Sequence, residues 1–221
     1  MSQIKERPIL FSAPMVRAIL EGRKTVTRRP VKVQPHIDAS GNFCVGNSNY
    51  GQDGYGSPVT KHFVNGCCPF GKPGDRLWVR EAWQADAQVD SVAPRELSHG
   101  EPIRYPADWD FRQTGCAMMK PGKIRPSIHM PRWVSRILLE ITDVRVERLQ
   151  GITEEQAKAE GVRLMRDGSD TWVSREGPGN LVTPWPTAKE AFSDLWNTIN
   201  GPQAWAANPW VWVVEFKRVT P

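Results

Sequence analysis

Residues 22–29, GRKTVTRR, set four cationic side chains around two threonines, and the next acidic residue along the chain is Asp38. Phosphate or carboxylate would suit such a cluster, because arginine binds these anions through paired hydrogen bonds and lysine adds a compact charge. A run of charges is also typical of a solvated basic loop. The segment is therefore either a solvated loop or an anion site in which Lys24 and a threonine are placed for chemistry.

The spacing of Lys24 and Thr27 restricts how they could share a site. Residues three apart on a regular strand face opposite sides, so a shared site requires a turn or a bulge. Arg23, Arg28 and Arg29 crowd the lysine, and neighbouring cations lower a lysine pKa. If the segment is a site and not a solvated loop, its cations make the neutral Lys24 amine easier to reach, and that amine could accept the proton of a threonine hydroxyl.

Glu160 is a candidate general acid or base in a second segment, ITEEQAKAEG. It falls in the last turn of a predicted helix that Gly161 ends, where the helix dipole disfavours a carboxylate. Such a group suits proton transfer if it is also half-buried. The alternative is an exposed glutamate beside a helix-ending glycine.

Composition limits the class of protein. The chain has 221 residues, 39% of them hydrophobic, with ten tryptophans and a net charge of +5. One domain with a real core fits this length, and the charge favours polyanions such as nucleic acid. The four cysteines include an adjacent pair and no CxxC, and no apolar leader or membrane-length run occurs. We therefore expect reduced thiols, a cytoplasmic location, no membrane contact and no metal.

The candidate residues lie among short helices and strands. Capping residues and apolar spacing predict helices at residues 13–21, 154–160 and 188–200, the last with Phe192, Leu195, Trp196 and Ile199 on one face. Alternation predicts strands at residues 76–81, 135–149 and 209–219. Short helices on a mostly antiparallel sheet predict an α+β barrel. We interpret residues 31–72, 84–130 and 162–186, the last with a hairpin at TWVS, as insertions in one domain spanning residues 1–221.

Four motifs occur in a recognisable order: GRKTVTRR after a short helix, KPGDRLWV, ITEEQAKAEG and a final strand WVVEFKRV. Together they resemble the ASCH-domain family, a branch of the PUA-like β-barrel superfamily linked to RNA. The resemblance covers roughly residues 7–30, 71–83, 133–161 and 187–219. The family's signature glycine, lysine and arginine match Gly22, Lys24 and Arg28 or Arg29. The stretches PSIHMPRW and NPWVWVVEF are similar to longer ASCH proteins of phages and prophages.

Within this family the chain resembles the small bacterial N4-acetylcytidine amidohydrolases. That resemblance implies a PUA-like barrel, and it implies Lys24, Thr27 and Glu160 as the catalytic lysine, nucleophilic threonine and catalytic glutamate. It implies an N4-acylated cytosine nucleoside as substrate and no cofactor. The three arginines of the basic segment, Arg23, Arg28 and Arg29, are expected to bind substrate, with Arg29 at the oxyanion or at a phosphate.

ASCH domains are also linked to RNA binding and nuclease activity, so a nucleic-acid-binding module or a ribonuclease is the alternative. RNA would then be the partner, and the phosphate contacts would come from Arg23, Lys24, Arg28, Arg29, Lys32, Arg132 and Arg136. Trp83, Trp109 and Trp172 are either packing residues or platforms for bases.

Overall fold

The computed structural model describes residues 4–113, 115–165, 168–174 and 183–220. Its helices are α1 (Ala13–Leu20), α2 (Lys61–Cys67), α3 (Glu154–Ala159) and α4 (Ala188–Asn200). Its strands are β1 (Glu6–Leu10), β2 (Val26–Pro30), β3 (His36–Ile37), β4 (Phe43–Val45), β5 (Ser48–Asn49), β6 (Arg76–Arg80), β7 (Ile103–Tyr105), β8 (Asp110–Arg112), β9 (Leu138–Arg148), β10 (Arg163–Leu164), β11 (Trp172–Val173) and β12 (Trp210–Val219). None of these helices is long and apolar enough to cross a membrane.

The chain folds into two compact units. The first comprises Met1–Gly22, Asp75–Glu140 and Arg218–Pro221, and the second comprises Arg23–Gly74 and Ile141–Lys217. In the first unit β6 pairs in parallel with β1 and antiparallel with the start of β9, and β7 and β8 form a hairpin. Its core centres on the fully buried Trp83, Ile103, Tyr105 and Val134. The prediction of a single domain stays a prediction.

The second unit carries the basic segment and Glu160. Here β12 lies between β9 and β2 and is antiparallel to β2. One face of these strands packs on α3 and α4 through a buried apolar cluster that includes Val26, Val211, Val213, Ala157, Phe192 and Trp196. Two small antiparallel sheets, β3–β4–β5 and β10–β11, complete the unit.

The α+β class with mostly antiparallel sheets is confirmed, but the described strands do not close into a barrel. Closure requires every strand to pair on both sides. Among the described residues β2 pairs with β12 alone. The chain before β2 instead meets a helix end, because the Thr25 N–H donates to the Ala159 carbonyl at 2.9 Å.

The three predicted helices form with ends within one residue of those expected, and the two capping boxes form as predicted. Thr153 and Gln156 form the predicted capping box of α3, and Thr187 forms that of α4 with Glu190. The predicted apolar face of α4 is wrong at one position, because Ile199 is 52% exposed. That residue lies in the last turn of α4, next to the helix end at Gly201.

The three predicted insertions contain short elements of their own. Residues 31–72 hold β3, β4, β5 and α2, residues 84–130 hold β7 and β8, and residues 162–186 hold the antiparallel pair β10–β11. The predicted TWVS hairpin thus forms with Trp172 opposite Leu164. Residues 166–167 and 175–182 of the third insertion lie outside the described residues.

Candidate active site

Lys24 lies two residues before β2, and its ammonium reaches the outer edge of that strand. Val26 lies opposite Glu215, and Thr25 O accepts a hydrogen bond from Phe216 N at 2.9 Å. Hydrogen-bonded and non-hydrogen-bonded pairs alternate in antiparallel sheets, so the Val26 carbonyl points away from β12. The Lys24 ammonium donates to this carbonyl at 2.9 Å. The lysine therefore lies beside the peptide bond that leads into Thr27.

The Lys24 ammonium meets two further acceptors, both from Glu160. Its Nζ lies 2.7 Å from Glu160 Oε2 and 2.8 Å from the Glu160 backbone oxygen. Lys24 is only 2% exposed and Glu160 only 4%. An ammonium has three N–H donors, and these contacts with the Val26 carbonyl match all of them. A solvated basic loop is thus excluded for Lys24.

The end of α3 sets the position of Glu160. The capping box begins the helix after Thr153, and Glu160 is its C-cap residue. Gly161 follows with φ of 102°, a left-handed conformation that glycine adopts without strain. Arg23 donates from Nη1 to the Gly161 carbonyl at 2.6 Å. A cation at a helix C-terminus is favourable, so Arg23 stabilises the turn that aims the carboxylate.

Arg28 holds the other oxygen of the Glu160 carboxylate. Its Nη1 donates to Oε1 at 3.2 Å, and its Nη2 donates to Gln156 Oε1 at 2.9 Å. Nη2 also lies 3.6 Å from Glu147 Oε2. The Arg28 side chain is completely buried. Two cations therefore converge on one buried carboxylate, and a third contact ties the arginine to α3.

Burial shifts the pKa values of cationic side chains in this site. Desolvation lowers the pKa of Lys24; the ion pair with Glu160 opposes that change, while Arg29 and Arg28 add to it. Burial also lowers the pKa of Arg29, against the attraction of Glu160. The neutral amine of Lys24 is thus easier to reach than in water. The carboxylate 2.7 Å away is positioned to take the proton that the ammonium loses.

Thr27 lies on the opposite face of β2 from Arg28. It is 2% exposed, pairs with Val214 and shares its face with Arg29, which pairs with Trp212. Because Lys24 precedes the strand, the expectation from regular strand spacing does not apply to it. Lys24 approaches Thr27 along the strand edge, through the Val26 carbonyl, without a bulge in the described pairing of β2.

The tryptophans and arginines expected to contact nucleic acid differ in their burial and in their bonding partners. Trp83 is fully buried in the core of the first unit, Trp172 lies under the Lys158 ammonium, and Trp109 is 62% exposed. Arg132 is bonded to Glu6, and Arg136 is bonded to Glu81, Asp108 and Asp110. Arg28, Arg132 and Arg136, from which the alternative expects phosphate contacts, each form ion pairs within the protein.

Sequence reasoning missed Gln156 and Glu147 as partners of Arg28. Gln156 was assigned only to the capping box, although it lies one turn before Glu160 on the same helix face. That spacing was a usable signal. No comparable signal in the sequence points to Glu147, because its approach to Arg28 depends on how β9 packs. No cluster of three or more His, Cys, Asp or Glu side chains in the described ranges is arranged to hold a metal ion.

The chain matches no protein-family model, no curated protein and no solved structure. Membership of the ASCH family therefore stays a prediction from the motifs, and the geometry of Lys24, Thr27 and Glu160 carries the functional argument.

Proposed function

We propose that the protein is an amidohydrolase that removes the acyl group from N4-acylated cytosine nucleosides, as a member of the ASCH family with a PUA-like fold. The observation that carries the proposal is the buried contact of 2.7 Å between Lys24 Nζ and Glu160 Oε2. Amide cleavage needs a base, an acid and a nucleophile. The contact supplies the first two, and Thr27 is the proposed nucleophile, since it follows Val26, whose carbonyl accepts a hydrogen bond from Lys24.

The first step prepares the base and the acid together. One proton moves from the Lys24 ammonium to the Glu160 carboxylate along their hydrogen bond, leaving a neutral amine and a carboxylic acid. Burial supports the loss of the Lys24 proton, because desolvation lowers the pKa of that ammonium. Arg28 donates to the other carboxylate oxygen, Oε1, so Oε2 is the oxygen that faces the Lys24 ammonium.

The second step is acyl transfer. The Thr27 hydroxyl oxygen attacks the acyl carbon while its proton passes to the Lys24 amine, and the carbonyl oxygen becomes an oxyanion. Arg29, on the same face of β2 as Thr27, is the nearest cation by register to stabilise that charge. Collapse breaks the carbon–nitrogen bond, and Glu160 gives its proton to the departing cytosine amine. Water then hydrolyses the threonine ester and releases the carboxylic acid.

Three alanine variants of the purified protein test the proposal against N4-acetylcytidine. Lys24→Ala, Thr27→Ala and Glu160→Ala should each lower turnover by about 10²–10⁴-fold, the range that a positioned acid or base contributes. Circular dichroism of each variant checks that it stays folded. Thr25→Ala is the matched control, because its side chain is exposed in the same segment, and it should keep wild-type turnover.

Two results would overturn the proposal. One is a wild-type rate that equals the rate in buffer. The other is full activity in Thr27→Ala, since no other hydroxyl of the basic segment is buried.

Nucleic-acid binding without chemistry has weaker support. Lys24 and Arg28 are buried and paired with Glu160, so neither offers its charge to a phosphate at the surface. Phosphate binding of that kind weakens steeply with salt. Salt-dependent binding of single-stranded RNA by an inactive wild-type protein would favour this alternative.

A further inference from the structure

The second unit contains a cavity of about 310 Å³ that the proposed chemistry does not use. We call it the aromatic pocket, and its wall includes Val31, Lys32, Phe63, Cys67, Phe70 and Trp212. The wall combines the end of β2, the start of β12 and the helix α2 with the segment that follows it. Part of it therefore comes from the insertion at residues 31–72.

Stacked aromatic rings make the floor of the aromatic pocket rigid. The rings of Phe63 and Trp212 lie nearly parallel, with centroids 4.9 Å apart and planes inclined by 18°. Phe43 supports Phe63 from behind at 5.7 Å. All three residues are buried, so their rotamers are fixed by packing. A floor of this kind is ready for a flat apolar ligand without further ordering.

One positive charge stands at the rim. Lys32 is the single ionisable cation among the described lining residues, and it is exposed. It makes no ion pair with the described residues at 4.0 Å or less, unlike Lys24 and Arg28 before it in the chain. An apolar cavity whose rim carries one cation without an ion pair among the described residues is complementary to a ring system that carries one negative charge.

We propose that the aromatic pocket binds a small planar aromatic anion. The ring lies against the apolar wall, and the anionic group lies at Lys32. The volume is at the low end of the range for ligand sites, which is about 300–1,000 Å³, so one or two fused rings fit and a larger cofactor does not. This inference stands on the cavity itself and does not depend on the amidohydrolase activity.

The test uses 2-naphthoate as the probe, with 2-naphthalenemethanol as its neutral counterpart, in isothermal titration calorimetry. Wild-type protein should bind the anion more tightly than the alcohol. Lys32→Ala should weaken binding of 2-naphthoate by about threefold to fivefold, the value of one exposed ion pair, and leave binding of the alcohol unchanged. Lys61→Ala removes another exposed lysine of the same unit, outside the pocket wall, and should change neither affinity.

Cys67 provides a second, steric test of the location. Its side chain is exposed and belongs to the pocket wall. Modification with N-ethylmaleimide should therefore fill the cavity and abolish binding of 2-naphthoate in wild-type protein. Cys67→Ser should bind the probe both before and after the same treatment, because Cys68 and Cys116 are not part of the wall.

Three outcomes would overturn the inference. The first is the absence of binding at millimolar probe. The second is equal affinity for the anion and the alcohol in wild-type protein. The third is inhibition by N-ethylmaleimide that persists in Cys67→Ser, which would put the probe elsewhere. None of these outcomes bears on turnover of N4-acetylcytidine, so the two proposals fail separately.

Discussion

Arg28 donates to the same Gln156 oxygen that closes the capping box of α3. Gln156 Oε1 lies 2.9 Å from Arg28 Nη2 and 3.1 Å from the Thr153 backbone nitrogen. One side chain thus begins the helix and also anchors the arginine that holds Glu160. The two functions should be lost together when that side chain is removed.

Gln156→Ala should lower the free energy of unfolding by about 2–3 kcal/mol, since it removes a cap contact and leaves one buried Arg28 N–H unpaired. Glu190→Ala is the matched control, because Glu190 closes the capping box of α4 without a buried arginine. That variant should lose only about 1 kcal/mol. Urea denaturation measures both. Equal losses of unfolding free energy in the two variants would show that the hydrogen bond from Arg28 adds nothing to stability.

Removal of the anion should destabilise the second unit more than removal of one cation. Glu160→Gln leaves Lys24 buried without a carboxylate and leaves Arg28 with only the carboxylate of Glu147, which lies 3.6 Å from its Nη2. We expect this change to cost about 3–5 kcal/mol. Lys24→Met leaves Glu160 paired with Arg28 and should cost about 1–3 kcal/mol. Denaturant titrations at neutral pH compare the two variants. A larger loss in Lys24→Met would contradict the arrangement of two cations on one carboxylate.

Local sequence signals predicted the elements that position Glu160 and left the details of the basic segment open. The capping boxes at Thr153 and Thr187 were readable because each depends on residues three apart. The contact between Lys24 and Glu160 was expected from the family resemblance alone. It joins residues 136 positions apart, and periodicity carries no information at that range.

Burial was the hardest property to predict. Arg28 lies between two polar residues in GRKTVTRR, so its complete burial could not be predicted from local composition. It follows from β2 packing its Val26 face on α3, where Gln156 and Glu160 supply the acceptors. Ile199 shows the opposite error: it is an apolar position of the α4 pattern, yet it is exposed at the end of that helix.

Ionisation of Tyr105 should make the stability of the first unit depend on pH. It is fully buried, donates to the Val134 carbonyl at 2.7 Å, and burial raises its pKa to about 12. A tyrosine in the unfolded chain loses its proton near pH 10, so the folded state holds more protons between about pH 10 and 12. Stability should therefore fall as the pH rises through that window, by up to about 1.4 kcal/mol for each pH unit.

Comparison with Tyr105→Phe isolates this effect. The unfolding free energy of the wild type should fall relative to the variant between pH 10 and pH 12, and the ultraviolet titration of the folded wild type should show a phenol that ionises late. Parallel stability curves for the two proteins would contradict the raised pKa.

Arg136 should resist replacement by lysine. Its Nε and Nη2 donate to the two oxygens of the buried Glu81 at 2.9 and 3.0 Å, and its guanidinium lies 4.1 Å from the centre of the Tyr105 ring. Lysine keeps the charge but cannot form the paired hydrogen bonds to both carboxylate oxygens or lie flat on the ring. Arg136→Lys should therefore lower the free energy of unfolding by about 1–3 kcal/mol. Arg95→Lys, at an exposed pair with Glu96, should change stability by less than about 0.5 kcal/mol. Thermal denaturation distinguishes them.

The bond from Lys24 to the Val26 carbonyl also bears on self-association. An unpaired strand edge is a template on which a second molecule can add a strand, and this is a common start of aggregation. At β2 the outward carbonyl already has a donor from its own chain, and a buried ammonium stands where an incoming backbone would have to lie. The Lys24 side chain therefore occupies the outer edge of β2 at the point where a second strand could otherwise pair.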